Sequence, residues 1–352
     1  GFVFGWTFTN TLSYKKKIDK HDFNFLAGQE ALNSGAGRGM NAVGQNPFST
    51  DPNFITISNL PVGTRQVNSN QFKGVNFNSY FGQLRYTFDD KYIVSAVVRR
   101  DGSSRFGENA RYGVFPAFSA AWRVSSESFL QGATWIDDLK IRGGWGEMGN
   151  SNNVDPNNQY SLFGGDIGSS SYDITGSNSG ALIGFRRSRI GNPNAQWETA
   201  VTQNIGFDGT FYNGRLDIIF DWWRKDTKDL LFTVPIPLTA GNNASPPAVN
   251  IGEMLNRGLD LLVTTRGNLT TDLTYELTVT GSTLKNEIVA LAPGLSELLH
   301  ADYDGNAAQL KSVVGQPMGD FYAHPVATNS KGEKIVDPNG LYKVDANSMV
   351  KY

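Results

Sequence analysis

The sequence predicts an all-β, antiparallel fold and, within that class, a transmembrane β-barrel. Three observations point there. Apolar residues recur at every second position through about ten or eleven segments, the period of a strand with one apolar and one polar face. The connections between segments alternate between short and long, as in an up-and-down array with one trimmed and one elaborated end. The polar face carries ionised groups that hydrocarbon would penalise by several kcal/mol each, so that face needs water.

Taken in order, Phe4, Trp6, Phe8, Leu12 and Tyr14 alternate with Gly5, Thr7, Thr9, Thr11 and Ser13 as a first strand. The pattern is already running at Phe2, so no signal peptide is expected within this numbering. Lys15, Lys16, Lys17, Asp19 and Lys20 read as a charged turn, and Phe23, Phe25 and Ala27 as the next strand. From Gly28 to Phe77 the alternation fails, and Gly35, Gly37, Gly39, Asn46-Pro47 and Asp51-Pro52 read as a long loop.

The clearest strands come next. Tyr80, Gly82, Leu84, Tyr86 and Phe88 lead through Asp89-Asp90 to Tyr92, Val94, Ala96 and Val98. After a polar tip, Val114, Pro116, Phe118, Ala120 and Trp122 form the third strand. Ser125 to Asp138 is a connection with room for a short helical turn. Leu139, Ile141, Gly143 and Trp145 then alternate with Lys140, Arg142, Gly144 and Gly146, and a second long loop spans Gly149 to Ala195.

Trp197, Thr199, Val201, Ile205 and Phe207 resume the period, and Tyr212-Asn213-Gly214-Arg215 is a hairpin turn of the Asn-Gly kind. Leu216, Ile218, Phe220 and Trp222 follow, then a third long loop from Lys228 to Asn256. Leu259, Leu261 and Val263 turn near Gly267 to Asp272 into Leu273, Tyr275, Leu277 and Val279. The apolar stripe of Leu298, Leu299, Leu310, Val313 and Val314 reads as helical turns within Leu295 to Val314, and Phe321 to Val326 as one more strand.

Composition removes other classes. Lys plus Arg number 31 and Asp plus Glu 33, so net charge gives no reason to expect nucleic acid as partner. No apolar run approaches the ~18 residues of a membrane helix, whereas barrel strands leave only about ten residues of alternation each. The absence of Cys removes disulfides, thiol nucleophiles and Cys zinc sites. His21, His300 and His324 are scattered without ligand spacing, and no nucleophile elbow, P-loop or dinucleotide fingerprint occurs. No enzyme and no cofactor are expected. Asp337-Pro338-Asn339-Gly340 with Asp345 lacks the spaced acids of a calcium loop and reads as a turn.

Aromatic residues gather at strand ends. Tyr14, Tyr86, Phe88, Tyr92, Trp122, Phe211 and Tyr212 lie by the short turns, with Trp145, Trp197 and Trp222 toward the other end, as two interfacial girdles require. The opposite face carries Arg85, Arg99, Arg123, Arg142, Glu198, Asp217, Asp221, Asp260 and Glu276, which fits a wet lumen. Periodicity alone also admits a soluble or surface β-sandwich adhesin, which would bury the apolar face against a second sheet. A passive porin built from this chain alone is a third possibility. Phe48, Phe54, Tyr160, Phe163 and Tyr172 stand in loops, where they either stack on sugars or pack the loops themselves.

Several segments resemble the barrel signature of SusC/RagA-type TonB-dependent outer-membrane transporters. They are Tyr80 to Tyr86; Arg99, Arg100, Asp101, Gly102, Ser103, Ser104, Arg105, Phe106 and Gly107; and Arg111 to Arg123. Further matches are Leu139 to Gly146 with Gly149-Asn150, Asn192-Pro193-Asn194, Gln196 to Thr199, Lys225 to Leu231, Asn250-Ile251-Gly252, Asn256-Arg257-Gly258 and Gly315 to Tyr322. The resemblance implies a 22-stranded barrel in the outer membrane, closed by an N-terminal plug. It implies import of oligosaccharides or peptides powered through TonB, with a SusD-like surface lipoprotein as lid. Arg99 to Gly107 then forms a structural signature, and Asp101 to Ser104 a turn that fixes a hairpin tip rather than a ligand site. The plug, the TonB-contacting segment and the final strands are expected to lie outside this numbering, leaving a partial barrel over residues 1–352 with long extracellular loops.

Overall fold

The computed structural model describes residues 2–351 except 73, 165–170, 173–175, 177–181, 234–243, 293, 300–309, 324, 325, 337 and 339–349. Its strands are β1 (Phe2–Ile18), β2 (His21–Val43), β3 (Gln66–Phe72), β4 (Asn76–Phe88), β5 (Tyr92–Ser103), β6 (Tyr112–Arg123) and β7 (Ile136–Asn150). Four short ones follow: β8 (Leu162–Gly164), β9 (Ser171–Tyr172), β10 (Leu182–Ile183) and β11 (Arg186–Arg189). The wall resumes with β12 (Glu198–Phe211), β13 (Leu216–Thr233), β14 (Ala248–Asn268) and β15 (Thr274–Ala290). Last come β16 (Glu297–Leu299), β17 (Leu310–Val313), β18 (Asp320–Ala323) and β19 (Val350–Lys351).

One antiparallel sheet of 11 strands dominates, in the order β1-β2-β4-β5-β6-β7-β12-β13-β14-β15 with β3 attached to the far half of β2. The count agrees with the ten or eleven segments of alternation. The sheet is open, with β1 paired only to β2 and β15 only to β14 among the described residues. Neighbours in sequence are neighbours in space, because each short turn reverses the chain directly. Those turns place Asp19, Asp89, Asp90 and Asn213 at φ between 50° and 57°, a conformation that short polar side chains tolerate and that matches strand twist.

Register carries the alternation through the whole sheet, since cross-strand partners face the same side. One outer row runs Leu84–Ala96–Phe118–Trp145–Gln203–Arg224–Arg257–Lys285. The adjacent inner row runs Gln83–Val97–Ala117–Gly146–Thr202–Lys225–Asn256–Asn286. Phe4, Trp6, Leu84, Val94, Phe118, Trp122, Leu261 and Leu277 are exposed on the outer face, with Tyr86, Leu216 and Ile218 half-buried beside them. Arg85, Arg99, Arg123, Arg142, Asp217 and Glu276 all fall on the inner face. No second sheet covers the apolar face among the described residues, so the sandwich reading fails. A bare face carrying Phe8, Leu12, Leu277 and Val279 at 58–70% exposure needs lipid as its solvent.

Four expectations about the elements are corrected. The Gly28 to Phe77 loop is shorter, because β2 runs on to Val43: past the register shift at Gly35, Gly37 pairs with both β1 and β3, and Gly39 with β3. Glycines contribute no apolar side chain, so alternation vanishes while the ladder persists. Among the described residues there, 44–65, with three 3-10 turns, and the short break at 74–75 are irregular. Likewise β13 and β14 extend into the third loop, and Lys15 to Lys17 belong to β1 with the turn at Asp19-Lys20. The helical turns near Leu295 to Val314 are instead a ladder of β16, β17 and β18. Over so short a run, apolar spacing does not separate period 2 from period 3.6. Backbone bonds decide it: Ile288 donates to Gln316 and Gly315 to Ile288, tying the segment to the end of β15. The connection at Ser125 to Asp138 holds the short 3-10 turns Val124–Ser126 and Ser128–Leu130.

The short-turn end carries an aromatic girdle. His21, Phe23, Tyr86, Phe88, Tyr92 and Trp122 follow one another with ring centroids 4.9–6.4 Å apart, and Trp135 continues it against Phe211 and Tyr212. Trp197, expected in the opposite girdle, is instead buried. The compact core sits at the long-loop end: Phe106, Phe115, Val154, Ala195, Trp197, Leu231 and Ala248.

Candidate functional site: the signature loop and the inner wall

The signature segment leaves the top of β5 and turns onto its neighbours. Arg99 faces inward, its Nε donating to Asp101 at 2.6 Å and its Nη2 lying 3.4 Å from Glu30. Arg100 faces outward with its guanidinium 3.8 Å over the Tyr112 ring. Gly102 lies so close to Tyr112 that a Cβ would meet the ring at 2.4 Å. Ser103 and Phe106 are fully buried. The Ser103 amide donates to Arg111 O at 3.0 Å, and Ser104 exchanges bonds with Asn76 through its amide and its Oγ, both at 3.0 Å. Arg105 donates from Nη1 to the Val154 carbonyl. A Cβ on Gly107 would sit 2.2 Å from Pro193 O, so only glycine admits that approach. The polar groups of Asp101 to Ser104 are thus turned into the chain itself.

Motifs far apart in sequence meet on this loop. Trp197 packs 4.9 Å from Phe106 and 5.5 Å from Phe115, while its Nε1 donates to Arg111 O. Asn250 receives the Gln196 amide at 2.8 Å and returns a bond to Gln196 O at 2.9 Å. Glu198 accepts from Asn150 and Asn153. The alternation gave no warning of Val154 or Asn158. Asn158 bridges both backbone groups of Ala248, a bond pair no sequence pattern announces. Beside it, Arg189 holds Asp155 with two bonds of 2.6 and 3.3 Å, and this guanidinium keeps the Asp155 carboxyl below the usual carboxylate range.

The inner wall below is a lattice of paired charges. Arg142 reaches both oxygens of Asp221 at 2.7 and 2.6 Å and Asp208 at 2.9 Å, and Lys140 meets Asp208 at 2.7 Å. Arg266 joins Asp217 at 2.6 Å and Glu276 at 3.2 Å, and Arg123 meets Asp138 at 3.5 Å. Charge pairs of this density suit a water-filled bore or a polar domain lying against it. Among the described residues no group of three metal-type ligands gathers. The turn at Asp337 to Gly340 and Asp345 lies largely outside the described residues, as do His300 and His324.

The loop aromatics remain at the surface. Phe48 and Phe54 pair at 6.3 Å, Tyr160 is exposed, and Phe163 is covered on one side by Arg187 at 5.9 Å. The side chain of Tyr172 lies outside the described residues.

Residues 2–321 match the family model described as TonB dependent receptor-like, beta-barrel. Among curated proteins, the chain is 30% identical over 322 residues to TonB-dependent receptor P3 of Formosa agariphila, covering 90% of this chain and 30% of that protein. It is 27% identical over 361 residues to TonB-dependent receptor SusC of Bacteroides thetaiotaomicron, covering 97% and 34%. Among solved structures, the RagAB peptide importer in its closed-closed state superposes with a TM-score of 0.80 at 25% identity, covering 99% of this chain and 38% of that one. The chain spans about a third of the length of the curated relatives it matches.

Proposed function

This chain belongs to the TonB-dependent receptor β-barrel family, and from that premise we propose that it is a wall segment of an importer that takes up oligosaccharides or peptides with energy delivered through TonB. The family is one of transporters and receptors, and its barrels lie in the outer membrane. The carrying observation is the sorting of faces in register across the ten-strand path: a broad apolar band outward, with charge pairs such as Arg142–Asp221 and Arg266–Asp217 inward. Such a wall separates lipid from a polar bore.

The inner face is lined by small residues as well as charges. Thr7, Thr9, Gly144, Gly146, Thr278 and Thr280 leave room that a separate plug would occupy. In this reading the long-loop end faces the exterior. The signature residues Arg99 to Gly107 are structural: they lock the extracellular hairpins together through Phe106 and Trp197. The loops 44–65, 151–197 and 234–247 then form the docking rim for a SusD-like lipoprotein lid. The name of the RagAB peptide importer supports peptides as a substrate class, and the likeness to SusC supports dependence on TonB.

The test is uptake of labelled oligosaccharides and peptides by cells carrying the full-length protein, with and without TonB. Uptake that disappears in the TonB deletion is expected. Uptake that persists unchanged would make the protein a passive pore. Deleting the tip of the 44–65 loop should reduce co-purification of the lid while leaving the barrel folded.

A further inference from the structure

Three cations stand side by side on the outer face. Arg224, Arg257 and Lys285 are direct cross-strand partners on β13, β14 and β15. Each continues a line of outward residues: Ile218, Phe220 and Trp222 on β13, Val263, Leu261 and Leu259 on β14, Leu277 and Val279 on β15. Side chains opposite one another in a ladder start about 5 Å apart, where like charges repel. Arg224 is held by Asp226 at 2.8 Å. Arg257 and Lys285 make no ion pair or hydrogen bond among the described residues, although Glu287 lies on the same face one step toward the loops. On the inner face, by contrast, Arg99, Arg123, Arg142 and Arg266 each meet a carboxylate.

The height of the row identifies its surroundings. From Leu216 to Arg224 the strand advances about 27 Å at ~3.4 Å per residue, or about 21 Å across the membrane at a ~40° tilt. Outward apolar bands of barrels are ~25 Å tall. The row therefore sits where hydrocarbon ends and headgroups begin, on the long-loop side. Trp222, one step below Arg224, occupies the level of an interfacial aromatic. The guanidinium of Arg257 and the ammonium of Lys285, at headgroup depth and neither within ion-pair distance of a carboxylate among the described residues, match the charge and fork geometry of a phosphate.

We propose that Arg224, Arg257 and Lys285 bind the phosphate of an outer-leaflet glycolipid headgroup, which removes the mutual repulsion of the row and anchors this wall in its leaflet. The site is distinct from the bore and from the loop rim. It rests on the reading that the long-loop end is extracellular, since the opposite orientation would present the row to the inner leaflet.

The experiment uses full-length protein in nanodiscs containing a phosphorylated lipid A, with bound lipid counted by native mass spectrometry. The Arg257→Gln/Lys285→Gln variant should retain at least tenfold less lipid, while Lys16→Gln, at the other rim of the outer face, retains it fully. Heat-modifiable gel migration reports folding for each variant. Equal retention by the folded double variant overturns the proposal. So does equal binding of dephosphorylated lipid A or of phosphatidylglycerol, or displacement of the lipid by millimolar inorganic phosphate. Orientation is read separately by labelling Phe48→Cys on intact cells against the unsubstituted full-length protein as background; residues 1–352 contribute no Cys of their own. A site that binds lipid A with Phe48→Cys unlabelled would sink the orientation and spare the phosphate contact.

Discussion

Phe106 is the residue on which the long-loop end closes. It is fully buried, packs tilted against Trp197 at 4.9 Å and lies in a cluster that draws Val154, Leu231 and Ala248 from three separate segments. Removing its ring leaves a cavity that the paired backbones of β5, β12 and β14 restrain from collapsing. Phe106→Ala should cost about 3–5 kcal/mol. Its signature is a lower urea midpoint together with faster tryptic cutting of residues 151–197, while cutting at the short turns stays at the wild-type rate. An unaltered midpoint would remove Phe106 from the centre of this packing. Gly107 is a different kind of constraint: it is fixed by the Pro193 carbonyl, which leaves no space for any side chain.

At the scale of the strand, what matters is which side a position faces. Val279 and Thr280 are neighbours on β15, yet Val279 pairs with outward Val263 and Thr280 with inward Leu262. Val279→Arg places a cation on the hydrocarbon side, where the cost near the midplane is about 2–4 kcal/mol. Thr280→Arg places the same cation in the bore, beside a wall that already holds Arg142 and Asp221. Equilibrium folding into lipid vesicles should show the first variant destabilised by that amount and the second within about 0.5 kcal/mol of wild type. Equal effects would mean that the two faces share one solvent.

At the scale of the whole molecule, the two outer strands dominate. β1 and β15 each have one side with no strand partner among the described residues, and both carry long outward apolar runs. In lipid every unpaired backbone group costs several kcal/mol, so such edges persist only when further strands close the ring. With relatives about three times as long, the native protein is expected to have an intact mass well above 38.5 kDa. Intact mass spectrometry of protein purified from its own membrane decides the point. A folded monomer of 38.5 kDa in detergent would defeat the closed-barrel reading and the importer that depends on it.

The wall of this protein was written in its residues. Alternation such as Leu84, Tyr86, Val94 and Phe118 against Arg85, Arg99 and Arg142 names both the strands and their faces, because side-chain period is set by local backbone geometry and needs no partner to be read. Polar turns such as Asp89-Asp90 and Asn213-Gly214 were legible for the same reason. The Gly-rich half of β2 was not, since a ladder there is held by hydrogen bonds to β1 and β3 while its glycines leave few side chains to alternate. Nor was the burial of Trp197, which the sequence places with the interfacial aromatics. Only the fold brings Phe106, Phe115 and Ala248 around it, each from far along the chain relative to Trp197, and contacts of that reach carry no local period. The row of Arg224, Arg257 and Lys285 belongs to the same class: three unremarkable charges in sequence, made neighbours by register alone.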